Sequence, residues 1–171
     1  MESPRRKQVR LSGYDYRQNG YYFITIRIYD GTNRLGDIND AVFQGDLNRP
    51  DLMVEKWLLE LKNKYPYVYI DKYVIMPNHI HFILVIDSEE MMPSSKSASL
   101  SQIIGWFKTM TTNEYIRGVK NKLYKPFEVR FWQRGYHEHI ISTQKSYEEI
   151  WRYIDENPLK WELDKYYNCD Y

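Results

Sequence analysis

Cysteine is almost missing from this sequence. Cys169 stands alone among 171 residues, so no intramolecular disulfide can form and no cysteine-built zinc site is available. No apolar run reaches the roughly 18 residues that a membrane-spanning helix needs. The opening Met1-Glu-Ser-Pro-Arg-Arg-Lys7 leads into no apolar stretch, as a secretory signal would. These absences predict a soluble, cytoplasmic chain with no membrane partner. Neither sign of charge dominates: 24 Lys and Arg stand against 23 Asp and Glu. Internal repeats are lacking too. What the chain has in abundance is tyrosine, 17 residues that each join an apolar body to a polar tip. With 43% hydrophobic and 27% charged residues, the length supports one packed core and excludes a chain that is mostly disordered.

The small net charge hides a gradient. Residues 1–10 hold four basic groups and one acid; residues 108–134 hold seven basic groups against Glu114 and Glu128; residues 135–171 hold four basic groups and eight acids. Tyr115, Tyr124, Phe127, Phe131, Trp132 and Tyr136 interleave with the basic stretch. Rings that stack on bases beside cations that follow phosphates suit single-stranded nucleic acid. A solvated helix end and loop would give the same charge pattern.

Tyr21–Ile28 is aromatic and β-branched and predicts a strand. Residues 33–45 predict a hairpin with Asn39-Asp40 as its turn. Pro50 suits a first helical position, and Val54, Trp57, Leu58, Leu61 and Tyr65 follow helical spacing behind it. Residues 67–76 predict a strand, broken by Pro77-Asn78, and His79–Ile86 predicts another. Residues 87–98 are polar and serine-rich and predict a loop. Ser99-Leu-Ser-Gln102 has the form of a capping box, opening a helix to about Ile116 that Gly118 should end. Phe131–Ile141 is expected to be extended. Ser146-Tyr-Glu-Glu149 is a second box, opening a helix that Pro158 stops near Asn157. Helices this few and irregularly placed do not fit a doubly wound parallel sheet. The order predicts an α+β sandwich, a central antiparallel sheet with helices packed on it.

In His79-Ile-His81 the two imidazoles share one strand face, while Ile80, Phe82, Leu84 and Ile86 take the other. Their Cα atoms stand about 7 Å apart, close enough for both rings to reach one cation at about 2.0–2.2 Å. Two histidines satisfied by hydrogen bonds at a strand start would look the same. His137 and His139 repeat the spacing, so a four-histidine zinc site is conceivable. On the last helix Tyr153 and Asn157 are four residues apart and share a face, with Glu149 one turn earlier. Spacing alone makes neither a site: a tyrosine beside an apolar stripe usually packs, and an asparagine before proline usually stops a helix.

Taken together, Met76-Pro-Asn-His-Ile-His81 and Tyr153-Ile-Asp-Glu-Asn-Pro-Leu-Lys160 resemble the single-tyrosine transposases of the HUH class (histidine–hydrophobic–histidine), in particular their REP-associated tyrosine transposase branch. Phe23-Ile-Thr-Ile26, residues 99–108 and residues 131–141 extend the likeness, in the right order, from Tyr21 to Tyr167. The resemblance implies a ferredoxin-like HUH nuclease fold over residues 21–167, flanked by a basic segment 1–20 and a tail 168–171. It implies that His79 and His81, with Asn157 as a further polar ligand, hold magnesium or manganese, against the softness rule that favours zinc for imidazole. Tyr153 would be the nucleophile, giving a 5′-phosphotyrosine on single-stranded DNA beside a hairpin. A homodimer is one assembly this class would allow. Lys108, Arg130, Trp132, Gln133 and Arg134 are candidates for DNA contact, since they join charge to stacking or base-edge donors. His137, His139 and Glu149 are candidates for active-site support. Ser142-Thr143 stands where the family usually continues with a basic residue, so one phosphate contact is missing. Two other readings remain open: a non-catalytic hairpin-binding relative, and a metallohydrolase built on all four histidines.

Overall fold

The computed structural model describes residues 19–36, 49–87 and 97–166. The expected turn at Asn39-Asp40 and most of the serine-rich loop lie outside these residues. Four strands form one antiparallel sheet: β1 (Gly20–Arg27), β2 (Val68–Met76), β3 (His79–Ile86) and β4 (His137–Ile141), in the order β2-β3-β1-β4. Helices α1 (Pro50–Leu59) and α2 (Leu61–Lys64) link β1 to β2, α3 (Leu100–Lys120) links β3 to β4, and α4 (Gln144–Glu156) follows β4. This is the ferredoxin-like α+β sandwich that the sequence predicts.

The sheet is packed on both faces, and β3 shows why. Ile80, Phe82, Leu84 and Ile86 enter the larger core with Ile24 and Ile26 of β1, Val54 and Leu58 of α1, and Ile103, Ile104 and Phe107 of α3. Ile83 and Val85, on the histidine side, pack with Ile141 and Ile154 in a second cluster that α4 closes. Every residue of β3 is therefore buried. The histidine face is not an open surface but lies beneath a helix.

Helix ends follow local chemistry, with two departures from expectation. The capping box at Ser99 and Gln102 forms in full. The second box does not: Thr143 is the N-cap of α4, its Oγ1 accepting from Ser146 N at 3.1 Å. Thr143 already sits in extended backbone at the end of β4, so the helix opens one turn early and Ser146 falls inside it. Gly118 likewise does not end α3. The helix runs on to Lys120 and closes with Lys122 N donating to Val119 O and Leu123 N to Gly118 O, a Schellman arrangement with Lys122 left-handed at φ 61°. Gly118 is needed for space instead: a Cβ there would lie 2.2 Å from the Tyr124 ring. Between α3 and β4 the expected extended run is interrupted. Trp132 bridges to Ile28 and Gln133 N donates to Arg27 O, and only His137–Ile141 joins the sheet.

Gly118→Ala must push the Tyr124 ring off its contact with Tyr115, and should cost about 1–3 kcal/mol in urea unfolding. Lys122→Gly should act oppositely, adding about 1 kcal/mol by relieving a left-handed lysine.

Candidate active site

The β2–β3 turn, Pro77-Asn78, sets up the first imidazole. Asn78 Nδ2 donates to Gly31 O at 3.0 Å and to Tyr166 O at 2.7 Å, which fixes the carboxamide with Oδ1 toward His79. Oδ1 can only accept, so His79 carries its proton on Nδ1 and keeps a lone pair on Nε2. Thr25, paired with His81 across β1 and β3, holds His81 Nδ1 at 2.8 Å. The two Nε2 atoms meet at 3.0 Å. Because a threonine hydroxyl can donate or accept, His81 has two compatible tautomers. With its proton on Nε2 it donates to His79; with its proton on Nδ1, two lone pairs converge on the space a cation would fill.

Both rings are sealed, His79 at 0% and His81 at 1% exposure. Burial, then the charges of Arg27 and Lys165, pushes the His79 pKa down to about 3. Burial and the neighbouring His79 push His81 well down too. Both are neutral at pH 7, the form that binds metals.

α4 brings Tyr153 to this pair. Its hydroxyl lies 3.2 Å from His81 Nε2, its ring packs edge-on against Phe23, and the residue remains 40% exposed. Burial first, and Asp164 second, raise the phenol's pKa. Tyr153 meets a histidine of its own chain, so the pair and the phenol come together without a second copy.

Sequence reasoning missed the chain's closing segment. After Asn157 the chain turns through a 3-10 helix, Pro158–Leu163, and returns over the histidines. Trp161 and Tyr166 pack on His79. Asp164 joins His79 and His81, the ligand atoms of all three lying within 4.8 Å of one another. Asn157 Nδ2 donates to Asp164 Oδ2 at 3.4 Å, while its Oδ1 is buried with no hydrogen-bond partner. Two imidazoles and a carboxylate form a group that could hold a divalent cation. Nothing in the spacing marks Asp164, because only the return of the chain brings it here. A cleft of about 430 Å³ opens beside the set, lined by Thr25, His81, His137, Tyr153, Asp164 and Lys165.

The remaining candidates divide. His137 lines that cleft, but among the described residues it and His139 are not in the ligand group, so the four-histidine site does not form. Glu149 points away, its side chain 62% exposed and 3.9 Å from Lys145. Lys108, Arg130, Trp132, Gln133 and Arg134 share a groove of about 500 Å³. Within it Lys108 Nζ donates to Gln133 O and Gly135 O, and burial lowers its pKa to about 8. Trp132 is only 4% exposed and donates to Thr111 Oγ1. These two hold the groove's wall. Arg130 stacks on Tyr29, and Arg134 is exposed.

Residues 42–157 match the family model described as IS200-like transposase. The chain belongs to that family. It is 35% identical to an uncharacterised protein of Haemophilus influenzae, over 95% of this chain and 93% of that one. Its fold matches a REP-associated tyrosine transposase bound to a REP hairpin, with TM-score 0.57 and 22% identity over 91% of this chain and 77% of that one. It also matches a Deinococcus radiodurans protein assigned as a transposase, with TM-score 0.51 and 11% identity over 86% and 97%. The family match ends at Asn157, so Asp164 comes from beyond the matched segment. Among the described residues, no helix of this transposase-family chain is long and apolar enough to cross a membrane.

The depressed histidine pKa values carry a stability consequence. Above about pH 6.5 the buried neutral rings cost nothing relative to the unfolded chain. As pH falls from there toward 3, the unfolded state gains protons that folded His79 refuses, and stability is lost. Between pH 7 and pH 5 urea unfolding should show a loss of about 2 kcal/mol from His79 alone. That loss should be absent in His79→Asn.

Proposed function

We propose that this chain is a divalent-metal-dependent DNA strand transferase that cuts and rejoins single-stranded DNA beside a hairpin. The observation that carries this is the Tyr153 hydroxyl 3.2 Å from His81 Nε2, half-exposed at the edge of a cleft. Membership of the transposase family and the hairpin bound by the structural relative support the choice of substrate.

His79, His81 and Asp164, with the Asn157 amide oxygen, would hold the ion, and magnesium or manganese suits the two oxygen donors. Bound there, the ion would supply Lewis-acid polarisation of a phosphodiester and offset developing charge. The chain's own residues do the rest. Asn78 and Thr25 orient the imidazoles through their Nδ1 atoms. Phe23 and His81, stacked on each other, both pack edge-on against the Tyr153 ring. The phenol oxygen bonds to phosphorus, the bond from phosphorus to the 3′ oxygen breaks, and the phenol's proton ends on that oxygen. No water is consumed, so a 3′-hydroxyl can reverse the step. Arg130, Gln133 and Arg134 would track the adjoining strand in their groove.

A hairpin oligonucleotide from the flanking genomic DNA, with Mg²⁺ or Mn²⁺, should give a covalent protein–DNA adduct on a denaturing gel. Tyr153→Phe should give none, and a chelator should abolish it. Salt-sensitive hairpin binding with no adduct from the unaltered chain would instead identify a binding protein. Asp164→Asn should weaken Mn²⁺ binding in calorimetry about tenfold or more, read without DNA. Unchanged affinity there would remove Asp164 from the ligand set.

A further inference from the structure

Arg27, set beside the histidine pair, is a cation that pairs with no carboxylate among the described residues. In the β1–β3 register Thr25 faces His81 and Arg27 faces His79. Phe23, Thr25 and Arg27 occupy successive positions on one face of β1, about 7 Å apart. Tyr153 packs on Phe23 and His81. The phenol and the guanidinium therefore stand at opposite ends of the histidine pair. Arg27's charge bears directly on His79.

Its surroundings leave the guanidinium undersatisfied. Among the described residues no ion pair includes it. Nε is buried with no hydrogen-bond partner. The Tyr166 ring lies against it, its centre 4.1 Å from Cζ. Ring stacking occupies one face of the guanidinium plane and leaves the in-plane donors for an acceptor. A buried N–H lacking an acceptor is costly. An oxyanion in the neighbouring site would remove that cost, and a planar fork is matched to phosphate oxygens.

We propose that Arg27 is a catalytic residue that takes an anionic, non-bridging oxygen of the scissile phosphodiester. It neutralises the charge that builds on that oxygen as the Tyr153 oxygen adds to phosphorus and the 3′ oxygen departs with the phenol's proton. The assignment deepens the strand-transfer reading and rests on it. Arg27 lies one residue beyond the Phe23-Ile-Thr-Ile26 motif.

The test uses a hairpin oligonucleotide that the full chain converts to adduct, synthesised with either a phosphodiester or a methylphosphonate at the scissile position. The methylphosphonate lacks the anionic oxygen. Arg27→Ala should slow adduct formation about 10²–10³-fold on the phosphodiester. On the methylphosphonate its deficit should shrink to less than about tenfold. Arg27→Lys, which keeps the charge without the fork, should fall between. Equal losses on both substrates would mark a structural role and overturn the proposal, as would no loss on either. A second measurement needs neither cleavage nor a folded variant. In the unaltered chain, inorganic phosphate should shift the Arg27 Nε–H resonance while leaving the other arginine Nε–H resonances in place. An Arg27 signal indifferent to phosphate would overturn the assignment even if adduct forms, whereas failure of the unaltered chain to form adduct strikes the strand-transfer reading alone.

Discussion

The 3.0 Å approach of His79 Nε2 to His81 Nε2 constrains everything around it. Two imidazoles cannot be brought this close inside a dry strand unless their protons are managed. Asn78 does so for His79 by being held, through two carbonyl acceptors, in the one orientation that offers an oxygen. Thr25 does so for His81 with a hydroxyl that can reverse its role. Burial then keeps both rings neutral. The same dry environment requires a cover, which α4 and the returning chain provide, and each cover brings chemistry with it: α4 carries Tyr153, and the return carries Asp164.

Much of this was legible in sequence because period-two alternation is a strong signal. It placed His79 and His81 together and Ile80, Phe82, Leu84 and Ile86 opposite, as the two cores show. The covering of the histidine face was also written there, in Ile83 and Val85, which a solvent-facing strand side would not need. Local helix signals were less decisive. Ser146 fits a capping box, but strand β4 delivers Thr143 in extended backbone one turn earlier. Gly118 resembles a helix stop, but the space it leaves is filled by Tyr124 from across the turn. Trp132 resembles a stacking residue, yet its indole is spent on Thr111 and the core. In each case a tertiary neighbour decided between meanings that local spacing left equal.

On the proposed reading, Asp164 and Asn157 would resolve the expected conflict between imidazole ligands and a hard cation. A site of histidines alone favours zinc. The Asp164 carboxylate adds a hard donor and a negative charge that neutral imidazoles lack, and the Asn157 amide oxygen would add a second hard donor. Asp164 is supplied by a segment whose sequence has little helical or strand character, Pro158–Tyr166. It is held there by the cap of the 3-10 helix, Asp164 N donating to Trp161 O at 2.9 Å, and by packing: Trp161 and Tyr166 on His79, and the Tyr166 carbonyl on Asn78. The donor set and its cover are thus one object, and a residue that orients the first imidazole also anchors the segment that brings the carboxylate.

Charge then governs how a polyanion would meet this site. Helix α4 carries Glu148, Glu149, Asp155 and Glu156, of which Glu149 pairs with Lys145, Asp155 with Lys72 and Glu156 with Lys160. Near-cancellation of the total charge is the sum of differently charged segments rather than uniform neutrality. Positive groups lie elsewhere: Arg130 and Arg134 on the α3–β4 groove, Lys165 on the cleft, and Arg27 beside His79. Lys165 and Arg27 flank one ring, Tyr166, with Nζ 4.7 Å and Cζ 4.1 Å from its centre. A strand lying over these groups would meet attraction along its path, so the modest net charge is compatible with steering toward the phenol.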